Sequence, residues 1–161
     1  PAAQREEQLD ALFGRLRLAN AGEQSALEQK IWEVWSRPAS ATAEVLLQEA
    51  STAMAAREFD VAETILNELT KTYPDFSEGW NRRATMYFAQ EKYDLSLRDI
   101  EKVLDLEPRH FGALAGRGMI YQRQEKWGLA LDAYRQALRL NPGMQGVKDA
   151  IKQLEKNERD T

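Results

Sequence analysis

The sequence has no cysteine. That removes disulfides, thiolate metal ligands and cysteine nucleophiles together. Histidine is almost missing as well, since His110 is the only one. With no second imidazole and no thiolate to converge with it, a zinc-type site has no ligand set. His110 lies in a connecting segment and is expected to be a solvated loop residue. Long apolar runs are also lacking. The uncharged stretches at residues 38–43 and 50–56 fall far short of the roughly 20 residues that cross a bilayer. There is no glycine-rich phosphate loop, no nucleophile elbow and no dinucleotide fingerprint. Dense Lys/Arg clusters of the kind that bind nucleic acid are absent too. These gaps lead us to expect no enzymatic activity, no cofactor, no metal, no nucleic-acid partner and no membrane insertion. The sequence starts at Pro1 and not at methionine, so a segment removed upstream is expected. A lost leader and the missing thiols lean toward an exported, periplasmic protein over a cytoplasmic one.

What is present is ordinary for a globular chain. In 161 residues, 43% are hydrophobic and 30% charged, enough apolar material for one continuous domain with a real core. The net charge of −4 is unevenly spread. Residues 43–76 carry two basic and seven acidic side chains, whereas residues 111–161 carry nine basic and six acidic. Solvated helix faces that differ in sign account for this, and the asymmetry would orient a charged partner.

The strongest signal is a period. Pro74, Pro108 and Pro142 stand 34 residues apart, and each ends an amphipathic helical stretch, because the residue before proline disfavours helix. Within segments 43–76, 77–110 and 111–144 the same residue types recur in phase. A bulky residue at Leu46, Trp80 and Leu114 is followed four later by a small one at Ala50, Ala84 and Gly118. A second small position, Ala62, Ser96 and Ala130, precedes Leu66, Ile100 and Tyr134, then Leu69, Val103 and Ala137. An aromatic residue, Phe59, Tyr93 or Trp127, marks each junction between two helices. Spacings of three and four place these residues on one helix face. The small ones let helix axes approach while the bulky ones fill the opposing groove.

This pattern resembles the tetratricopeptide repeat (TPR) family, most closely over 111–144, where Leu114, Gly118, Tyr121, Ala130, Tyr134, Ala137 and Pro142 carry it. The chain is also similar to small bacterial proteins of that family. The resemblance implies an all-α superhelix, a solenoid of antiparallel helical hairpins. It further implies a concave groove, lined by the first helix of each repeat, that takes an extended peptide or a partner's helix.

The flanks are helical too. Residues 4–19 place Leu9, Leu12, Leu16 and Ala19 on one face; Gly22 is expected to break the helix, and residues 24–37 resume it with Leu27, Ile31, Val34 and Trp35. Residues 1–42 are therefore read as a degenerate N-terminal hairpin or cap. Residues 145–161, with Val147, Ile151 and Leu154 at spacings of four and three, read as a C-terminal capping helix. Trp32, Trp35, Trp80 and Trp127 all fall at core or junction positions by spacing, so packing explains them without a ligand.

The candidate groove residues flank the core stripe of the first helices: Asn81, Arg82, Thr85 and Phe88, then Met119, Gln122 and Arg123. Asn81 and Gln122 can donate and accept toward a peptide backbone. Arg82 and Arg123 suit a carboxylate, and Phe88 and Met119 offer an apolar floor. The family's carboxylate-clamp co-chaperones hold heat-shock chaperone tails with basic residues and Asn. At the matching places stand Leu47, Ser51, Arg82, Gly112 and Gly116, of which only Arg82 fits, so such a tail is not the expected partner. The expected function is a protein–protein interaction scaffold. The alternative is an assembly role in which the array self-associates through its ends.

Overall fold

A computed structural model describes residues 2–37 and 40–160 of the chain, with side chains described through residue 157. Residues 1, 38, 39 and 161 of the expected N-terminal segment and C-terminal cap therefore lie outside the described residues. Among the described residues every regular element is a helix: α1 (Ala2–Arg17), α2 (Ala21–Ser36), α3 (Ala41–Ala55), α4 (Phe59–Thr72), α5 (Ser77–Ala89), α6 (Tyr93–Leu106), α7 (Phe111–Arg123), α8 (Trp127–Leu140) and α9 (Gln145–Asp160). The chain divides into two compact units, Trp35–Pro108 and Pro1–Val34 with Arg109–Thr161.

In the unit Trp35–Pro108, α3 pairs with α4 and α5 with α6, and α5 also packs on α3 and α4. The core is Ala43, Leu47, Ala50 and Ala53 of α3, Ala62, Leu66 and Leu69 of α4, and Phe76, Met86 and Tyr87. Ala50 and Ala62 are completely covered, which is why the recurring position must be small. At Ser96 the small residue does more: its hydroxyl donates to the Ala84 carbonyl at 2.7 Å, tying α6 to α5. The Trp80 indole N–H donates to the carbonyl of Pro74 at 2.9 Å, so the helix-stopping proline also anchors the next hairpin.

Each paired hairpin turns in the same way. Arg57, Glu91 and Glu125 sit in the left-handed region with φ of 59°, 60° and 60°. The N–H groups of the residues that follow them, Glu58, Lys92 and Lys126, donate back to Ala53, Tyr87 and Tyr121 at 2.8 Å. This closes each first helix with a Schellman-type bond. Three charged residues thus occupy a conformation that glycine adopts at lower cost.

An interhelical staple in this unit was not visible in the repeat pattern. The Arg83 guanidinium donates twice to Asp99, both at 2.9 Å, and also to Asn67 at 2.9 Å and Thr70 at 3.2 Å. It lies 5.1 Å from the Trp80 ring centre. One side chain on α5 therefore joins α4 and α6. Its hydrogen bonds to Asp99 hold the Arg83 pKa above the ordinary value.

In the other unit, α7 pairs with α8, and α8 is covered by α9 and α1. Ala130, Leu131 and Tyr134 of α8 meet Val147, Ile151 and Leu154 of α9 in one buried cluster. At Gly118 α7 comes close to α8, since a Cβ there would stand 2.7 Å from the Tyr134 ring. Helix α1 buries Leu9, Phe13 and Leu16. Phe13 meets Phe111 edge-on with ring centres 6.1 Å apart. Arg109 donates to Asp10 at 2.7 Å and to Glu6 at 3.1 Å. In α2, the Gln24 amide donates to Asn141 at 3.1 Å, and a side chain at Gly143 would run into the Gln24 carboxamide.

Three expectations need correction. The break between α1 and α2 is not at Gly22, which lies inside α2. Asn20 starts that helix instead, its side-chain oxygen accepting from the Glu23 N–H at 2.9 Å; asparagine is a strong N-cap, and the helix forms through the glycine behind it. His110 is not a solvated loop residue. It is only 4% exposed and caps α7, its Nδ1 accepting from the Ala113 N–H at 3.0 Å. Nor are all four tryptophans packed away, because Trp32 and Trp127 are each 39% exposed. Spacing places a residue on a face but does not tell whether that face is covered to its edge.

Candidate functional site

A concavity lies in the unit Pro1–Val34 with Arg109–Thr161, where α7, α8 and α9 meet, with a cavity volume of about 790 Å³. Helix α7 contributes Ala115, Met119, Gln122 and Arg123 to one wall. Met144, Val147 and Ala150 form the other wall, with Trp127 and Tyr134 from α8 between them and Glu125 in the turn. Gly146, which also lines the cavity, adds no bulk there.

The surface is mostly apolar with few polar groups, the usual make-up of a binding site. Met119 is 45% exposed and Trp127 39%, although both are large hydrophobes on otherwise amphipathic helices. Tyr134 closes the floor. Its hydroxyl donates to the Gln122 side-chain oxygen at 2.8 Å. Gln122 is thereby fixed with its NH₂ group left as a donor. Burial pushes the Tyr134 phenol up to about 12, partly opposed by the positive charge of Arg123, so the hydroxyl stays a neutral donor at physiological pH.

Of the residues expected from the sequence, Met119, Gln122 and Arg123 come together in this cleft. Asn81, Arg82, Thr85 and Phe88 are carried by α5 in the unit Trp35–Pro108. There the Thr85 hydroxyl is used locally, donating to the Asn81 carbonyl at 3.1 Å. Phe88 packs against Tyr93 with ring centres 5.9 Å apart, and Asn81 and Arg82 are half-buried. The wall supplied by α9 was missed, as was Trp127. Their sequence signals, a regular apolar stripe and a recurrent junction aromatic, were both assigned to packing.

Among the described residues no three His, Asp or Glu side chains converge as a metal site would need. No helix among them is long and apolar enough to cross a membrane.

Two family models, both described as tetratricopeptide repeat, match residues 47–97 and 112–144. A TPR repeat-containing protein of Rhizobium etli is 35% identical over 149 residues, covering 92% of this chain and 73% of that protein. The chain belongs to the tetratricopeptide repeat family. A more local likeness is to DnaJ homolog subfamily C member 3 of Gallus gallus, 35% identical over 77 residues, which is 48% of this chain and 15% of that protein. Among solved structures, the first TPR of Spaghetti (RPAP3), bound to the HSP90 peptide SRMEEVD, matches with a TM-score of 0.69 at 19% identity. The match covers 73% of this chain and 93% of that one. The Sgt2 TPR domain from Aspergillus fumigatus matches with a TM-score of 0.70 at 19% identity, covering 75% and 82%. These likenesses establish an all-α TPR fold built of antiparallel helical hairpins. The matched models describe a helical repeat and no catalytic family.

Proposed function

We propose that this TPR chain is a protein-interaction scaffold that takes a peptide or a partner's helix in the cleft between α7, α8 and α9. One observation carries the reading: two large hydrophobes, Met119 and Trp127, stay exposed at the mouth of a mostly apolar cavity. Exposed apolar surface gathered into a concavity and rimmed by polar groups marks an interaction site rather than ordinary surface. Met119 is flexible and polarizable enough to fit varied side chains. Gln122 and Arg123 supply the polar rim, one toward a backbone amide and the other toward a carboxylate. On α5, in the unit Trp35–Pro108, Asn81, Arg82, Thr85 and Phe88 are proposed as peptide contacts of that unit.

A chaperone carboxylate tail is not the proposed ligand, although the Spaghetti structure contains a chaperone peptide. Leu47 is buried in the core, the Ser51 hydroxyl is engaged with the Leu47 carbonyl at 2.9 Å, and Gly112 and Gly116 have no side chain. Of the five matching places only Arg82 offers a basic group to a terminal carboxylate.

The test begins with the partner recovered on wild-type chain. Its affinity is then measured for wild type, for Met119→Glu, and for Asn81→Ala/Arg82→Ala/Arg123→Ala. A charge at the cleft mouth is expected to weaken binding at least tenfold. Equal affinity of Met119→Glu and wild type removes the cleft from the mechanism. Equal affinity of the triple variant removes the polar contacts.

A further inference from the structure

A second, smaller cavity of about 300 Å³ lies at the seam of α1 with the α7–α8 hairpin. It is lined by Asp10, Phe13, Arg17, Arg109, Arg139 and Leu140, so half of its lining residues are arginines. Only Arg109 is matched, by Asp10 and Glu6, and its guanidinium also lies 5.0 Å from the Phe13 ring centre. Among the described residues no carboxylate pairs with Arg17 or Arg139. Each stands in the last turn of its helix, where positive charge is favourable. That preference accounts for one arginine at one helix end. It places Arg17 and Arg139, both exposed, at separate helix ends, and the ion pairs place Arg109; neither accounts for the three meeting around a single cavity, where like charges repel.

We propose that this cavity binds a small organic phosphate ester. With Arg109 matched by Asp10 and Glu6, Arg17 and Arg139 are, among the described residues, the two lining arginines without a carboxylate partner, and a phosphate monoester carries roughly −1.5 to −2 at neutral pH. Guanidinium groups suit phosphate oxygens, which they hold through paired N–H donors. Phe13 and Leu140 give the organic group an apolar surface. The volume stands at the lower end of the roughly 300–1,000 Å³ typical of small-molecule sites, too small for a folded partner. Asp10, Phe13 and Arg17 come from α1, Arg109 from the turn before α7, and Arg139 and Leu140 from the end of α8. A bound ester would bridge α1 to the α7–α8 hairpin and hold α1 in place.

Phenyl phosphate is the probe, titrated calorimetrically into the full chain at fixed ionic strength and followed in parallel by thermal melting. Binding and a rise in melting temperature are expected, with inorganic phosphate weaker because it lacks the apolar group. Arg17→Gln/Arg139→Gln should weaken phenyl phosphate at least tenfold while still melting cooperatively without ligand, lower at most by what two exposed helix-end charges contribute. Met119→Glu, which alters the other cleft, should bind phenyl phosphate as wild type does. The proposal is overturned if wild type does not bind the probe, or if the double variant binds it equally well. A double variant that melts lower than wild type without ligand, beside a wild type indifferent to phenyl phosphate, assigns the arginines to their helix ends alone.

Discussion

Gly118 and the three left-handed turn residues show opposite demands on single positions. A Cβ at Gly118 would lie 2.7 Å from the Tyr134 ring, well inside contact distance. Even alanine there must push the ring and disturb its hydrogen bond to Gln122. Gly118→Leu is expected to cost about 1–3 kcal/mol by overpacking, read as a lower urea midpoint with an unchanged slope; an unaltered midpoint would remove the close α7–α8 contact. Glu91, at φ 60°, is the converse. A side chain in the left-handed region costs roughly 1–2 kcal/mol, while glycine loses roughly 0.5–1 kcal/mol more backbone freedom on folding. Glu91→Gly should therefore stabilise by up to about 1 kcal/mol, seen as a higher melting temperature. A lower one would show that the Glu91 side chain makes a contribution beyond filling the turn.

At the scale of elements, helices α4, α5 and α6 depend on one polar joint. The side chains of Arg83 and Asp99 are only 18% and 5% exposed. Replacing Arg83 by alanine strands the buried Asp99 carboxylate, and breaking such a pair costs about 3 kcal/mol. Chemical denaturation of Arg83→Ala and of Arg83→Met/Asp99→Leu separates the causes. The apolar pair should recover much of the loss, because no unmatched charge remains. If the two variants are equally unstable, packing of the long side chain and not charge is what matters. The joint also marks a limit of the periodic reading. Thirty-four residues to either side of Asp99 stand Ile65 and Ala133, so the pair has no counterpart in the repeat. The hairpins were legible because their small and bulky positions recur; Arg83 was not, because a single long-range pair leaves no period. The α9 wall of the cleft was hidden for a related reason. Its stripe of Val147, Ile151 and Leu154 correctly announced a buried face, but the groove beside that face is formed jointly with α7.

Over the whole molecule, legibility falls with sequence separation. The apolar stripe of α1 showed that Leu9 and Leu16 would be covered, not that α8 would cover them; the Arg109 bonds to Asp10 and Glu6 span 99 and 103 residues. The two units nonetheless share a chemical vulnerability that can be titrated. In the unit Trp35–Pro108, burial and a hydrogen bond to Glu63 push the Tyr87 phenol up from 10.0 to about 12. In the other unit, burial pushes Tyr134 up to about 12. Both shifts favour the protonated phenol in the folded state. The stability they contribute is complete below the ordinary phenol value of 10.0 and is lost as pH rises through about 12. Melting temperature should stay level to the alkaline side of neutrality, then fall between pH 10 and pH 12 as tyrosinate absorbance appears. Tyr134→Phe removes one of the two contributions, so its melting temperature should fall less steeply over that window. It also loses the bond to Gln122, so its starting value should be lower. If every tyrosine ionises near its ordinary value while the melting temperature holds, neither phenol is enclosed as the packing of α5 and α8 requires.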